Sequence, residues 1–173
     1  MTTHLYLLRH AEAETAAGGS DLERDLTAAG ADAAGRAACA LGALGLRFDR
    51  GLTSPALRAL RTAEIFWRTL GKGDLELVEA LAPGADAETI TKLLTELSRP
   101  DARLKRLLVT GHMPDLISLL RHLSRERVSA AVSFAPCGMA RLDFETAVRA
   151  KAGALKWSLK PGELAALSDP GVV

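Results

Sequence analysis

Residues 5–12 read Leu-Tyr-Leu-Leu-Arg-His-Ala-Glu, and the break inside this stretch decides the fold. Four consecutive apolar residues are too few for a buried helix and suit a strand covered on both faces. The run stops abruptly at Arg9 and His10, so a buried strand delivers a cation and an imidazole at its carboxyl end. The same pattern recurs at residues 107–114, where Leu-Leu-Val-Thr gives way to Gly-His-Met-Pro and His112 takes the place of His10. A third short run, Gly51-Leu52-Thr53, ends in Ser54-Pro55 and leads into a helix whose first turn carries Arg58. Further strands are predicted at Met139 to Phe144 and Leu155 to Leu159.

Helical patterns separate most of these runs. Asp86 caps a helix with Ile90, Leu93, Leu94 and Leu97 on one stripe. Ser54 as N-cap and Pro55 at the first helical position predict a helix burying Leu57, Leu60, Ala63, Trp67 and Leu70. Another helix follows Pro114, with Leu116, Ile117, Leu120 and Leu123 turned inward. Thr27 to Leu46 is rich in Ala and Gly. Thr27 as cap and the high helix propensity of Ala predict a closely packed helix there. Strands alternating with helices imply a three-layer α/β/α sandwich around a mostly parallel sheet. The strand at Met139 follows a Ser/Pro/Cys/Gly stretch and is expected at an edge.

At 173 residues the chain is expected to form one domain, residues 1–173. A net charge of +1, with 48% hydrophobic and 25% charged residues, describes an ordinary globular chain and gives no reason to expect nucleic acid or an anionic membrane as partner. Neither a signal peptide nor an apolar run long enough to span a bilayer is legible, which points to the cytoplasm. Cys39 and Cys137 are far apart and lack metal-ligand spacing, so both are expected to be buried free thiols.

The chemistry therefore gathers at three strand ends. Ligands of open α/β sheets bind outside the carboxyl ends of the strands, where His10 and His112 could converge across a hundred residues. Two imidazoles with Arg9 and Arg58 suit phosphate, because guanidinium forks match its oxygens and helix N-termini favour anions. Positive surroundings disfavour imidazolium and keep a histidine available as nucleophile. Arginines can supply the charge that Mg²⁺ supplies elsewhere, and they would repel a cation held by the histidines and Glu12, so neither a metal nor another cofactor is expected.

The segments LRHAE at Leu8 to Glu12, SPALRALRTA at Ser54 to Ala63 and GHMPDL at Gly111 to Leu116 resemble the signature segments of the histidine phosphatase superfamily. DLERDLTAAG from Asp21 to Gly30, the G-H-x-P form and, more weakly, WSLKPGE from Trp157 to Glu163 are similar to the SixA-type phosphohistidine phosphatases within it. The resemblance implies a phosphoglycerate mutase-like fold and a metal-independent phosphatase. His10 would become phosphohistidine, Arg9 and Arg58 would bind the phosphoryl oxygens, and His112 would donate a hydrogen bond to them. Arg24, Ser54, Glu12 and Arg61 would lie around the substrate. Ala11 stands where the family more often has Gly, and Arg61 where it more often has Gln. Glu79 is the candidate leaving-group acid, in a segment whose register with the family's acid is not fixed. The favoured substrate is a phosphohistidine-bearing protein, acted on by a monomer or homodimer. A phosphomonoesterase for small sugar or nucleotide phosphates and a non-catalytic phosphate-binding module are the alternatives.

Overall fold

The computed structural model describes residues 2–15, 19–99, 104–129, 132 and 134–167. In chain order these form β1 (Thr3–Arg9), α1 (Ala28–Ala43), β2 (Arg50–Thr53), α2 (Leu57–Leu70), β3 (Leu75–Leu77), α3 (Ala87–Leu97), β4 (Arg106–Gly111), α4 (Asp115–Leu123), β5 (Met139–Phe144), β6 (Ala154–Leu159) and α5 (Pro161–Ala166). Two short 3-10 turns lie at Asp21–Glu23 and Glu79–Leu81. The strands make one six-stranded sheet in the order β3-β2-β4-β1-β5-β6. Pairings β2–β3, β2–β4 and β1–β4 are parallel, whereas β5 runs antiparallel to both β1 and β6. The sheet is thus mostly parallel, as the alternation of strands and helices implied.

Alternation along β1 explains why a continuous apolar run was needed. Leu5 and Leu7 face a core built with Ile90 and Leu94 of α3 and with Leu116, Leu119, Leu120 and Leu123 of α4. Tyr6 and Leu8 face the opposite core, with Ala34, Ala37, Ala38 and Leu41 of α1, Phe66 and Leu70 of α2, and Leu164 of α5. Small residues let α1 come close. A Cβ added at Gly30 would sit 2.2 Å from the Glu12 carbonyl oxygen, so α1 lies directly against the loop that follows His10. Gly30→Ala is accordingly expected to lower Tm and turnover together, and an unchanged Tm would show that the loop accommodates the methyl freely.

Four sequence expectations are corrected here. α2 begins at Leu57, and its N-cap is Ala56 without a side-chain cap bond. Ser54 Oγ instead accepts the Ala56 N–H at 3.2 Å, in a turn preceding the helix. The face α2 buries is Arg58, Ala59, Thr62, Ala63, Phe66 and Leu70, because it packs by small residues against α1 while Trp67 is only part-covered. Strand β5 is not an edge, since β6 folds back beyond it. Cys39 is exposed on the outer side of α1, whereas Cys137 is buried and desolvation pushes its thiol up to about 12. No disulfide joins them.

Candidate active site

β1, β4 and β2 end side by side. The β1–β4 register pairs Arg9 with Gly111, β2–β4 pairs Thr53 with Thr110, and the Ser54 N–H donates to the Thr110 carbonyl at 3.1 Å. The chain just past each strand is held by further backbone bonds. His10 N–H donates to Gly111 O at 3.0 Å, Arg9 N–H to Gly138 O at 3.0 Å, and Cys137 N–H to His10 O at 3.0 Å. The Ala11 N–H donates to Thr62 Oγ1 at 3.0 Å, and that hydroxyl in turn donates to the Arg58 carbonyl at 2.7 Å. These bonds fix the turn at His10 against α2, so rigid elements position the side chains.

The two imidazoles meet there, with ring centroids 5.2 Å apart and planes inclined by 50°. His10 Nδ1 lies 2.7 Å from the Ala11 carbonyl, an acceptor only, so Nδ1 carries the proton and Nε2 keeps its lone pair. His112 Nε2 lies 2.7 Å from Ser54 Oγ. Arg9 donates from Nη1 to the Phe134 carbonyl at 2.7 Å. Burial lowers the Arg9 pKa from its ordinary value. Arg58, only 5% exposed, donates to the Asp21 carbonyl at 2.5 Å and to Asp21 Oδ2 at 2.9 Å. Asp21 Oδ1 accepts from Arg24 at 2.8 Å, so one carboxylate bridges two arginines.

Desolvation pushes the His10 imidazole down to about 4, with Arg58, Arg9 and Arg24 adding to the shift and the bond to Ala11 opposing it. Desolvation likewise pushes His112 down to about 3, reinforced by His10 and Arg58 and opposed by Asp21. Both rings are neutral at pH 7. An NMR titration of the His10 ring is expected to have its midpoint near 4, and a midpoint near the ordinary 6.5 would contradict this. The unfolded chain binds these protons more readily than the folded one. The contribution of His10 to stability is therefore fully present above 6.5 and is lost as pH falls toward about 4.

Five buried side-chain atoms among the described residues have no hydrogen-bond partner, and four belong to this site: Arg9 Nε, Arg58 Nε, Thr110 Oγ1 and His112 Nδ1. Each such buried group costs about 1–3 kcal/mol, so their concentration favours an acceptor-rich ligand. Neither α2 nor α4 has a side-chain cap at its N-terminus, which leaves free N–H groups and positive dipole ends at this edge. Among the described residues, no group of three or more His, Cys, Asp and Glu side chains is arranged to hold a metal.

The remaining candidates divide. Arg24 reaches the site through Asp21 and is anchored by a 2.6 Å bond from Nε to the Glu14 carbonyl. Glu12 faces α1: its carbonyl accepts the Thr27 N–H and its carboxylate accepts the Thr27 hydroxyl at 3.3 Å. Arg61 is half exposed and paired with Glu64 at 3.2 Å and Asp25 at 3.9 Å, away from the histidines. Glu79 lies exposed in the 3-10 turn beyond edge strand β3, with no side-chain bond. Sequence reasoning missed Asp21, although it stands three residues before Arg24 in a segment already singled out. It also passed over Thr62, whose clue was its one-turn spacing from Arg58.

Asp21 is half exposed, so water screens its side of the pair with the buried Arg58 and an incoming anion can compete for that guanidinium on the scale of about 1 kcal/mol. Asp21→Ala is expected to strengthen competitive inhibition by orthophosphate, by about two- to fivefold on that scale. Weaker inhibition would mean that the carboxylate organises the arginines for phosphate instead of competing with it.

Fold and site together define a phosphohydrolase with two arginines beside two neutral imidazoles at the carboxyl ends of its strands. Residues 5–83 match the model of the histidine phosphatase superfamily, branch 1. The protein histidine phosphatase SixA complexed with tungstate superposes with a TM-score of 0.80, at 25% identity over 94% of this chain and 99% of that one. A SixA-type protein from Agrobacterium tumefaciens gives 0.75 at 26% identity, covering 91% and 97%. An uncharacterized protein of Picosynechococcus is 37% identical over 114 residues, 65% of this chain and 67% of that one. Phosphoserine phosphatase from Entamoeba histolytica, with 3-phosphoglyceric acid, shares the fold at a TM-score of 0.66, 18% identity and 90% and 96% coverage. The chain belongs to the histidine phosphatase superfamily, and its structural likeness within that superfamily is to SixA.

Proposed function

We propose that this phosphatase acts on phosphohistidine carried by a protein, without a metal, through a phosphoryl group held transiently on His10. The observation that carries the reading is the His10 Nδ1 bond to Ala11 O, which leaves Nε2 free to attack within a set of unpaired donors. In the first step Nε2 bonds to phosphorus and the bond from phosphorus to the leaving nitrogen breaks, that nitrogen keeping the electron pair while the other nitrogen of the leaving imidazole carries a proton taken beforehand from solvent. In the second, water attacks phosphorus, the P–Nε2 bond breaks, and the proton lost from water leaves with phosphate or solvent. Arg9, Arg58 and His112 stabilise the equatorial oxygens in both steps. Arg24 binds at the rim.

The state of the acid candidates supports this substrate class. Glu79, exposed just past the carboxyl end of β3, makes no side-chain hydrogen bond among the described residues, and bonds from Arg24 and Arg58 lower the Asp21 pKa, keeping that carboxyl ionised near neutrality. An alkoxide leaving group needs a proton donor; a phosphoramidate nitrogen can be protonated before it leaves. The tungstate complex of the neighbour SixA is consistent with a cradle for tetrahedral oxyanions. The reading places one catalytic domain in the cytoplasm, and no described helix is long and apolar enough to cross a membrane. The test is hydrolysis of a phosphohistidine-bearing protein against a panel of sugar and nucleotide phosphates, with EDTA present. Much faster turnover of phosphohistidine is expected; preference for a small phosphate ester would move the substrate to metabolism and leave the site intact.

A further inference from the structure

Ser54 joins the candidate site in a way that neither phosphate binding nor helix capping accounts for. It is 0% exposed, His112 is 4% exposed, and their side chains meet at 2.7 Å although 58 residues separate them. Ser54 Oγ already accepts the Ala56 N–H. If His112 Nε2 carried the ring proton and donated it to Oγ, the Ser54 hydroxyl would accept twice and its own proton would be buried, with no acceptor within reach among the described residues. If the hydroxyl proton is donated to Nε2, every polar atom of Ser54 is satisfied. The ring proton must then sit on Nδ1, the nitrogen that has no partner in the resting protein.

We infer that Ser54 is a positioning residue that fixes His112 in the Nδ1–H tautomer, aiming the ring's single donor at a phosphoryl oxygen. The opposite tautomer would present a lone pair to an oxyanion and repel it. Both histidines would thus carry their proton on Nδ1, to opposite ends. At His10 it frees Nε2 for attack, and at His112 it creates the donor. The consequence for turnover rests on the proposed function, but the tautomer can be read in the resting enzyme.

The experiment is a long-range ¹H–¹⁵N correlation spectrum of ¹⁵N-histidine-labelled protein at pH 7, with and without orthophosphate, His112 being assigned from His→Gln variants. The expected result is a protonated, pyrrole-type Nδ1 and an unprotonated, pyridine-type Nε2 for His112. Protonated Nε2 in the unaltered protein overturns the inference, even if every Ser54 variant fails to fold. Ser54→Ala is expected to give a mixture of tautomers and to lower kcat about tenfold, the scale of one misdirected hydrogen bond to a charged group, with KM changed less. Ser54→Thr, which keeps the hydroxyl, should restore the Nδ1–H form. A pure Nδ1–H tautomer in Ser54→Ala would equally overturn the role given to Ser54. Failure of His10 to carry phosphate would sink the nucleophile assignment and leave this spectrum unchanged, so the two failures are separable.

Discussion

His10→Ala is expected to be inactive. Loss of a covalent nucleophile removes the step the other residues are arranged to assist, and in serine proteases such a loss costs on the order of 10⁶ in kcat. Here the expected fall is at least roughly 10⁴-fold, because a phosphoramidate is reactive enough for the arginines to assist slow attack by water. The fold should survive. The His10 side chain makes one hydrogen bond, to the neighbouring Ala11 carbonyl, while the backbone bonds to Gly111 and Cys137 that hold the turn remain. Steady-state hydrolysis and the alkali-quench burst of phosphoenzyme should vanish together, with Tm little changed. Full turnover in this variant would remove His10 from the chemistry.

Arg58→Ala is expected to lose about 3 kcal/mol of transition-state stabilisation, roughly a hundredfold in kcat/KM, the scale for one preorganised donor in a water-poor site. Three features place Arg58 at this level. Its guanidinium is buried, its Nε has no partner, and its Nη atoms are occupied by an exposed aspartate that an incoming phosphoryl group can displace. Arg58→Lys should recover little, because an ammonium supplies one point charge in place of a bidentate fork. The structural part of Arg58 is its carbonyl, which accepts from Thr62, and substitution leaves it in place. Unchanged kcat/KM in either variant would exclude Arg58 from phosphate binding.

Much of this arrangement was legible because buried parallel strands leave a strong mark. Leu5 to Leu8 and Leu107 to Thr110 must be apolar on both faces, and the polar residues that end them stand out. Asp86 and Thr27 were readable as caps because their side chains do accept from Thr89 and Gly30. Strand β3 was not visible: it is three residues long, half-buried at the edge, and lies among Gly71, Lys72, Gly73 and Asp74. Helix α5 also escaped, although Pro161 opens it and the Glu163 carboxylate accepts the Lys160 N–H at 2.7 Å. The false N-cap at Ser54 has a specific cause. A serine before a proline reads as a cap from local sequence, whereas a partner 58 residues away claims its hydroxyl. Asp21 was hidden for a similar reason, since its partner Arg58 is 37 residues distant.

The measurement that bears most directly on the central claim is the location of phosphate in enzyme stopped during turnover. The unaltered protein would be mixed with a phosphohistidine-bearing substrate, quenched in alkali, where phosphohistidine survives, digested and sequenced by mass spectrometry. The account predicts a phosphoryl group on His10, attached at Nε2, stable to alkali and lost in acid. Phosphate carried on any other residue, or an enzyme free of phosphate at every time point while substrate is consumed, would contradict it.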